Sequence, residues 1–175
     1  TGNGKYIQDI LDNPTYKPYL DAFAVHGYSD GIAPDLSSST EWELFSNKVV
    51  VEHGKEMWMS ETSSPDLIEW SKAYWYMKGM FMSLKSGKLS LYSYNSLEWF
   101  YQDNNSTRQL FNHMHYYRFI RPGDKMIKVS DTDAEVEAIG FKNGSSYTSV
   151  VINLSKNKKT VQFSNFAGKP EFFHV

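Results

Sequence analysis

The chain has 175 residues, 41% hydrophobic and 16% aromatic, with a formal net charge of -2 and no cysteine; this suits one globular domain, or one and part of another, and argues against disorder. No run of Lys or Arg exceeds Lys158 and Lys159, which leaves no electrostatic footprint for nucleic acid or an anionic membrane surface. No apolar stretch approaches the roughly 20 residues that span a bilayer, and without cysteine there is neither a disulfide framework nor a thiolate metal site.

In chain order, apolar residues at 6, 7, 10 and 11 predict a short helix over 6–11 that stops near Asn13 and Pro14. Leu20 to Val25 is a compact apolar run halted by His26-Gly27-Tyr28, the pattern of a buried parallel strand. Glu41 to Glu52 can form a helix with Trp42, Phe45, Val49 and Val50 inward, leading to a second buried strand over Glu56 to Ser60. Ser64 as N-cap and Pro65 at the first helical position predict a helix from there to about Leu84, stopped by Ser86-Gly87. A third strand over Leu89 to Tyr94, a helix over Thr107 to Tyr117 and a turn at Arg121-Pro122-Gly123-Asp124 follow.

Up to this turn the order is β-α-β-α-β-α. Beyond it the pattern changes to short alternating strands: Met126 to Val129, Val136 to Phe141, Ser146 to Asn153 and Thr160 to Phe163. The composition shift predicts an α/β region over 1–118 and a β region over 119–175. Three βα units leave sheet edges exposed, so the chain reads as the carboxy-terminal part of a larger protein.

Simple alternation puts Met57, Met59 and Glu61 on one face of the second strand, with Trp58 and Ser60 on the other. Glu61 then stands at the carboxyl end of its strand, where α/β sheets and barrels bind ligands. A bland reading makes it a helix cap or a partner for a surface Lys. One unit earlier His26 and Tyr28 fall on the same rim, although a lone His is more often structural. Tyr94 and Trp99 come from the third strand and the loop beyond it. A carboxylate among polar and aromatic rings suits a site that cleaves sugars, with Glu61 as a nucleophile. The Asp residues have no metal-ligand spacing and Gly27 and Gly31 make no phosphate loop, so neither metal nor cofactor is expected. The Asn-X-Ser/Thr sequons at Asn104, Asn105, Asn143 and Asn153 read as chance.

Val25-His26-Gly27-Tyr28, Trp58-Met59-Ser60-Glu61 and Tyr117-Arg118-Phe119-Ile120-Arg121-Pro122-Gly123-Asp124, taken together and in this order, resemble the carboxy-terminal half of retaining glycoside hydrolases of family 30. The resemblance implies strands six, seven and eight of a (β/α)8 TIM barrel followed by part of an antiparallel β-sandwich. It implies Glu61 as the nucleophile, His26 and Tyr28 lining the site, and a secreted enzyme acting on β-linked polysaccharide, xylan before β-glucan. Trp58 is expected to face the helices. The family's acid/base Glu follows strand four and has no counterpart here, so activity would require the amino-terminal half of the barrel; Glu41, Glu43 or Glu98 would be poor substitutes. Where family members commonly carry Trp after strand eight, Tyr94-Asn95 stands, which leaves Tyr94 or Trp99 as the stacking ring. The alternatives are a non-catalytic carbohydrate-binding module, in which Glu61 only orients a ligand, and a related glycosidase with another substrate.

Overall fold

A computed structural model describes residues 3–33, 38–63, 70–102 and 105–164. The chain falls into two compact units, Thr1–Leu110 and Phe111–Val175.

In the first unit, helix α1 (Asn3–Leu11) precedes strand β1 (Ala22–His26), helix α2 (Thr40–Ser46) and strand β2 (Glu56–Glu61). Helix α3 (Trp70–Lys85) and strand β3 (Leu91–Tyr92) follow. The three strands form one parallel sheet in the order β1-β2-β3, as the buried runs and intervening helices predict. The start expected for α3 at Ser64 and Pro65 lies outside the described residues. The helix expected over 41–52 changes character: after Ser46 it continues as a π-helix, Asn47–Glu52. Trp42 and Val49 are buried, with Phe45 and Val50 packed beside them.

The core explains which face of the sheet the helices cover. Phe23, Met57 and Met59 cluster with Ile7, Leu11, Trp42, Val49 and Met82, so the odd-numbered residues of β1 and β2 face the helices. Trp58 therefore does not face them, contrary to the expectation from the sequence. It lies on the other side, where its Nε1 donates to Glu56 Oε2 at 2.9 Å and Ser90 Oγ at 3.1 Å. On that other side Ala24, Ser60 and Leu91 are exposed within this chain. Apolar runs do not reveal this, because Ala and Trp serve either environment.

Alternation also fails at the end of β2. Val25 is opposite Met59 but His26 is opposite Glu61, so Ser60 is an extra residue. Such a bulge breaks the period of two and turns Glu61 off the face shared by Met57 and Met59.

Beyond β3, a 3₁₀ turn (Leu97–Phe100) leads to a two-stranded ladder, β4 (Tyr101–Gln102) and β5 (Asn105–Ser106). Helix α4 (Arg108–Tyr117) begins after Thr107, whose Oγ1 accepts from Leu110 N at 3.4 Å, and it runs across the boundary between the units.

The second unit holds an antiparallel sheet, β6 (Lys125–Ile127), β7 (Val136–Asn143) and β8 (Ser146–Asn153), in that order. The turn before β6 closes by Asp124 N donating to Arg121 O at 3.0 Å, with Gly123 at φ 93°; Pro at the second position and Gly at the third are the residues a type II turn requires. Gly144, at φ 57°, opens the two-residue loop between β7 and β8. Thr160 to Phe163, predicted as a strand, is irregular. Its alternation is sound, but no described strand pairs with it.

Candidate functional site

The carboxyl ends of β1, β2 and β3 converge on Glu61. Main-chain bonds extend the sheet past its last paired residues: Gly27 N donates to Glu61 O at 2.7 Å, Ser93 N to Met59 O at 2.8 Å, and Asn95 N to Thr62 O at 2.8 Å. Gly27 is required by closeness, since a Cβ there would lie 2.6 Å from Thr62 Oγ1, and Thr62 is buried.

At this rim the Glu61 side chain is 38% exposed. Asn95 Nδ2 donates to Glu61 Oε1 at 3.0 Å. His26 Nε2 stands 3.8 Å from Glu61 Oε2, beyond hydrogen-bond range. The other ring nitrogen of His26, Nδ1, is 2.9 Å from Asp30 Oδ2. An ionised carboxylate only accepts, so that nitrogen carries a proton and donates to Asp30. A tight turn holds the ring in place: Gly31 N donates to Tyr28 O at 3.0 Å and Ile32 N to His26 O at 2.9 Å. Tyr28 meets the His26 ring edge-on, with centroids 6.0 Å apart, and its hydroxyl lies 2.9 Å from Ser63 Oγ.

The structure thus brings His26, Tyr28 and Glu61 together. Tyr94 is buried and its ring stacks on Phe100, with centroids 4.9 Å apart and 12° between planes. Trp99 is half-buried in the 3₁₀ turn, where its carbonyl accepts from Thr107 Oγ1 at 2.9 Å. Sequence reasoning passed over Asn95 and Asp30. Asp30 carried a signal, its spacing of four from His26 across a Gly-containing turn; Asn95 stood out only as the residue found where Trp was expected.

Among the described residues no group of three or more His, Asp or Glu is arranged to hold a metal ion, and no helix is long and apolar enough to cross a membrane. A cavity of about 330 Å³ in the second unit is lined by Phe119, Arg121, Asp124, Asn143 and their neighbours. Asp124 there accepts from Arg121 N at 2.8 Å and Asn143 Nδ2 at 3.0 Å, bonds that fasten the turn to the β7–β8 hairpin.

A parallel sheet with helices on one face and a carboxylate at the carboxyl end of its middle strand, together with an antiparallel β unit, defines a class of architecture; comparison with solved structures narrows it. The chain is similar in fold to a GH30 endoxylanase from Clostridium papyrosolvens C71, with 20% identity and a TM-score of 0.65, over 82% of this chain and 36% of that one. It is equally similar to a glycoside hydrolase family 30 subfamily 8 xylanase from Clostridium acetobutylicum, with 18% identity and a TM-score of 0.66, over 85% of this chain and 37% of that one. The resemblance to family 30 read from the sequence therefore extends to the fold, and the chain spans little more than a third of the length of these enzymes. No family model and no curated protein matches the chain.

Proposed function

We propose that the chain is part of a retaining, endo-acting glycoside hydrolase that cleaves β-linked polysaccharide, xylan above all, outside the cell. In this reading residues 1–118 supply strands six to eight of a (β/α)8 barrel and residues 119–175 part of a β-sandwich. The observation that carries the proposal is the position of Glu61 at the carboxyl end of the middle strand, partly exposed, with His26 and Asn95 on either side. Similarity of fold to xylanases supports the choice of substrate.

The chemistry follows from that position. Glu61 attacks the anomeric carbon and forms a covalent glycosyl-enzyme; a second Glu, from the amino-terminal part of the barrel, protonates the leaving oxygen and then activates water. Retention places the two carboxyl groups about 5–5.5 Å apart. His26 and Tyr28 orient the sugar. Trp99 offers the ring on which a sugar stacks, while the buried stack of Tyr94 on Phe100 supports a packing role for Tyr94.

The test is Glu61→Gln in the intact protein. Xylan hydrolysis is expected to fall to background while oligosaccharide binding, measured by calorimetry, persists. Unchanged hydrolysis would remove Glu61 from the mechanism.

A further inference from the structure

The two oxygens of Glu61 are not equivalent. Oε1 accepts from Asn95 Nδ2 at 3.0 Å, whereas Oε2 faces His26 Nε2 across 3.8 Å without a hydrogen bond. Asn95 is itself fixed, because its main-chain N–H donates to Thr62 O at 2.8 Å. One residue from the end of β3 is thus tied by main chain and side chain to the end of β2. The amide can meet a carboxylate only through its NH₂ group, which settles its orientation.

Two consequences follow. The last torsion of a Glu side chain is broad and nearly two-fold, so an unheld carboxylate would sample orientations unsuited to attack; the bond from Asn95 removes that freedom. A hydrogen bond to an ionised oxygen also draws charge toward the donor, which makes Oε1 the poorer nucleophile and leaves Oε2 the better one. We infer that Asn95 is a positioning residue that holds Glu61 by Oε1 so that Oε2 is the oxygen that attacks the anomeric carbon. This rests on Glu61 being the nucleophile, and it adds the residue that selects the attacking atom.

The test isolates that step. In the intact protein, an aryl 2-deoxy-2-fluoro-β-xylobioside with a dinitrophenolate leaving group needs no general acid. The bond from Oε2 to the anomeric carbon forms as the bond to the aryl oxygen breaks, and dinitrophenolate departs with the electron pair. Wild-type protein is expected to release one equivalent of dinitrophenolate and to carry the fluoro-sugar on Glu61, located by peptide mass. Asn95→Ala should lower the first-order inactivation constant by about 10- to 100-fold with little change in the reagent concentration for half-maximal rate. Asn95→Asp keeps the shape and the main-chain bond but replaces the donor with a second carboxylate; its loss should equal or exceed that of the Ala variant, whereas a residue that merely packs would tolerate this exchange. Thermal melts check that both variants fold, and the near-isosteric Asp variant keeps the test available if Ala does not. Labelling of Glu61 at the wild-type rate in both variants, or a loss in the Asp variant alone, overturns the role of Asn95 and leaves the nucleophile in place. A wild-type protein that is never labelled overturns the nucleophile and this inference with it.

Discussion

The two ends of β2 carry the same side chain in opposite circumstances. Glu56 Oε2 accepts from Trp58 Nε1 and from Ser90 Oγ, each at 2.9 Å, and Trp58 also donates to Ser90, at 3.1 Å. Three side chains close a triangle at the amino end of the sheet. Glu61, the sixth and last residue of the same strand, has one donor on Oε1, while its Oε2 stands 3.8 Å from His26 Nε2 without a hydrogen bond. The first carboxylate uses its lone pairs to join β2 to β3; the second keeps an oxygen uncommitted at the rim. Suitability for chemistry is thus read from what a carboxylate leaves unbonded.

The largest expected effect comes from exchanging the charges at the two ends. Glu61→Gln should abolish xylan hydrolysis while Glu56→Gln leaves it largely intact, measured as reducing-sugar release; equal losses would dissolve the contrast. Next in size are the two faces of the strand. Met57 is fully buried, and Met57→Ala should cost about 2–5 kcal/mol by urea denaturation, whereas Ser60→Ala on the exposed side should stay within about 0.5 kcal/mol. A smaller effect is expected at the junction of β1 and β2. A Cβ on Gly27 would lie 2.6 Å from Thr62 Oγ1 and 2.7 Å from Thr62 Cβ, so Gly27→Ala should cost about 1–3 kcal/mol. Adding Thr62→Ala should return part of that in a double-mutant cycle.

The smallest effect belongs to the second unit. The N–H of Glu135, donating at 2.9 Å, and then the Lys159 ammonium, also at 2.9 Å, hold the Asp133 carboxyl below its ordinary value of 3.8. A carboxyl depressed in the folded state contributes stability above its unfolded value, and that contribution is lost as pH falls through the lower folded value. Acid melts of Asp133→Asn should therefore show a shallower decline below about pH 4 than wild type. The difference should be slight and shrink with salt, because the group is solvent-exposed.

The parallel order of three strands was legible because apolar runs of strand length, each ended by polar or Gly residues, separated segments of helical period. The rim was legible for the same reason, since Glu61, His26 and Tyr28 all follow such runs. The details that failed share a physical cause. One extra residue, Ser60, reverses the face of whatever follows it, and periodicity contains no sign of a bulge. Trp58 is apolar enough for a core, and only its bonds to Glu56 and Ser90 show the side it takes. Thr160 to Phe163 alternates like a strand, but a strand exists only where another chain segment offers a ladder. Asn95 escaped notice because its role depends on Glu61, 34 residues away.

The rim is joined by bonds that no side chain makes. Gly27 N to Glu61 O, Ser93 N to Met59 O and Asn95 N to Thr62 O connect the strand ends entirely through the main chain. Most replacements at 28, 61, 63 or 95 would leave that frame standing, with Gly27 excepted by its closeness to Thr62. Mutation can therefore exchange the side chains at the rim without first having to rebuild their support. Such separation of scaffold from chemistry lets one architecture acquire different specificities in the course of evolution.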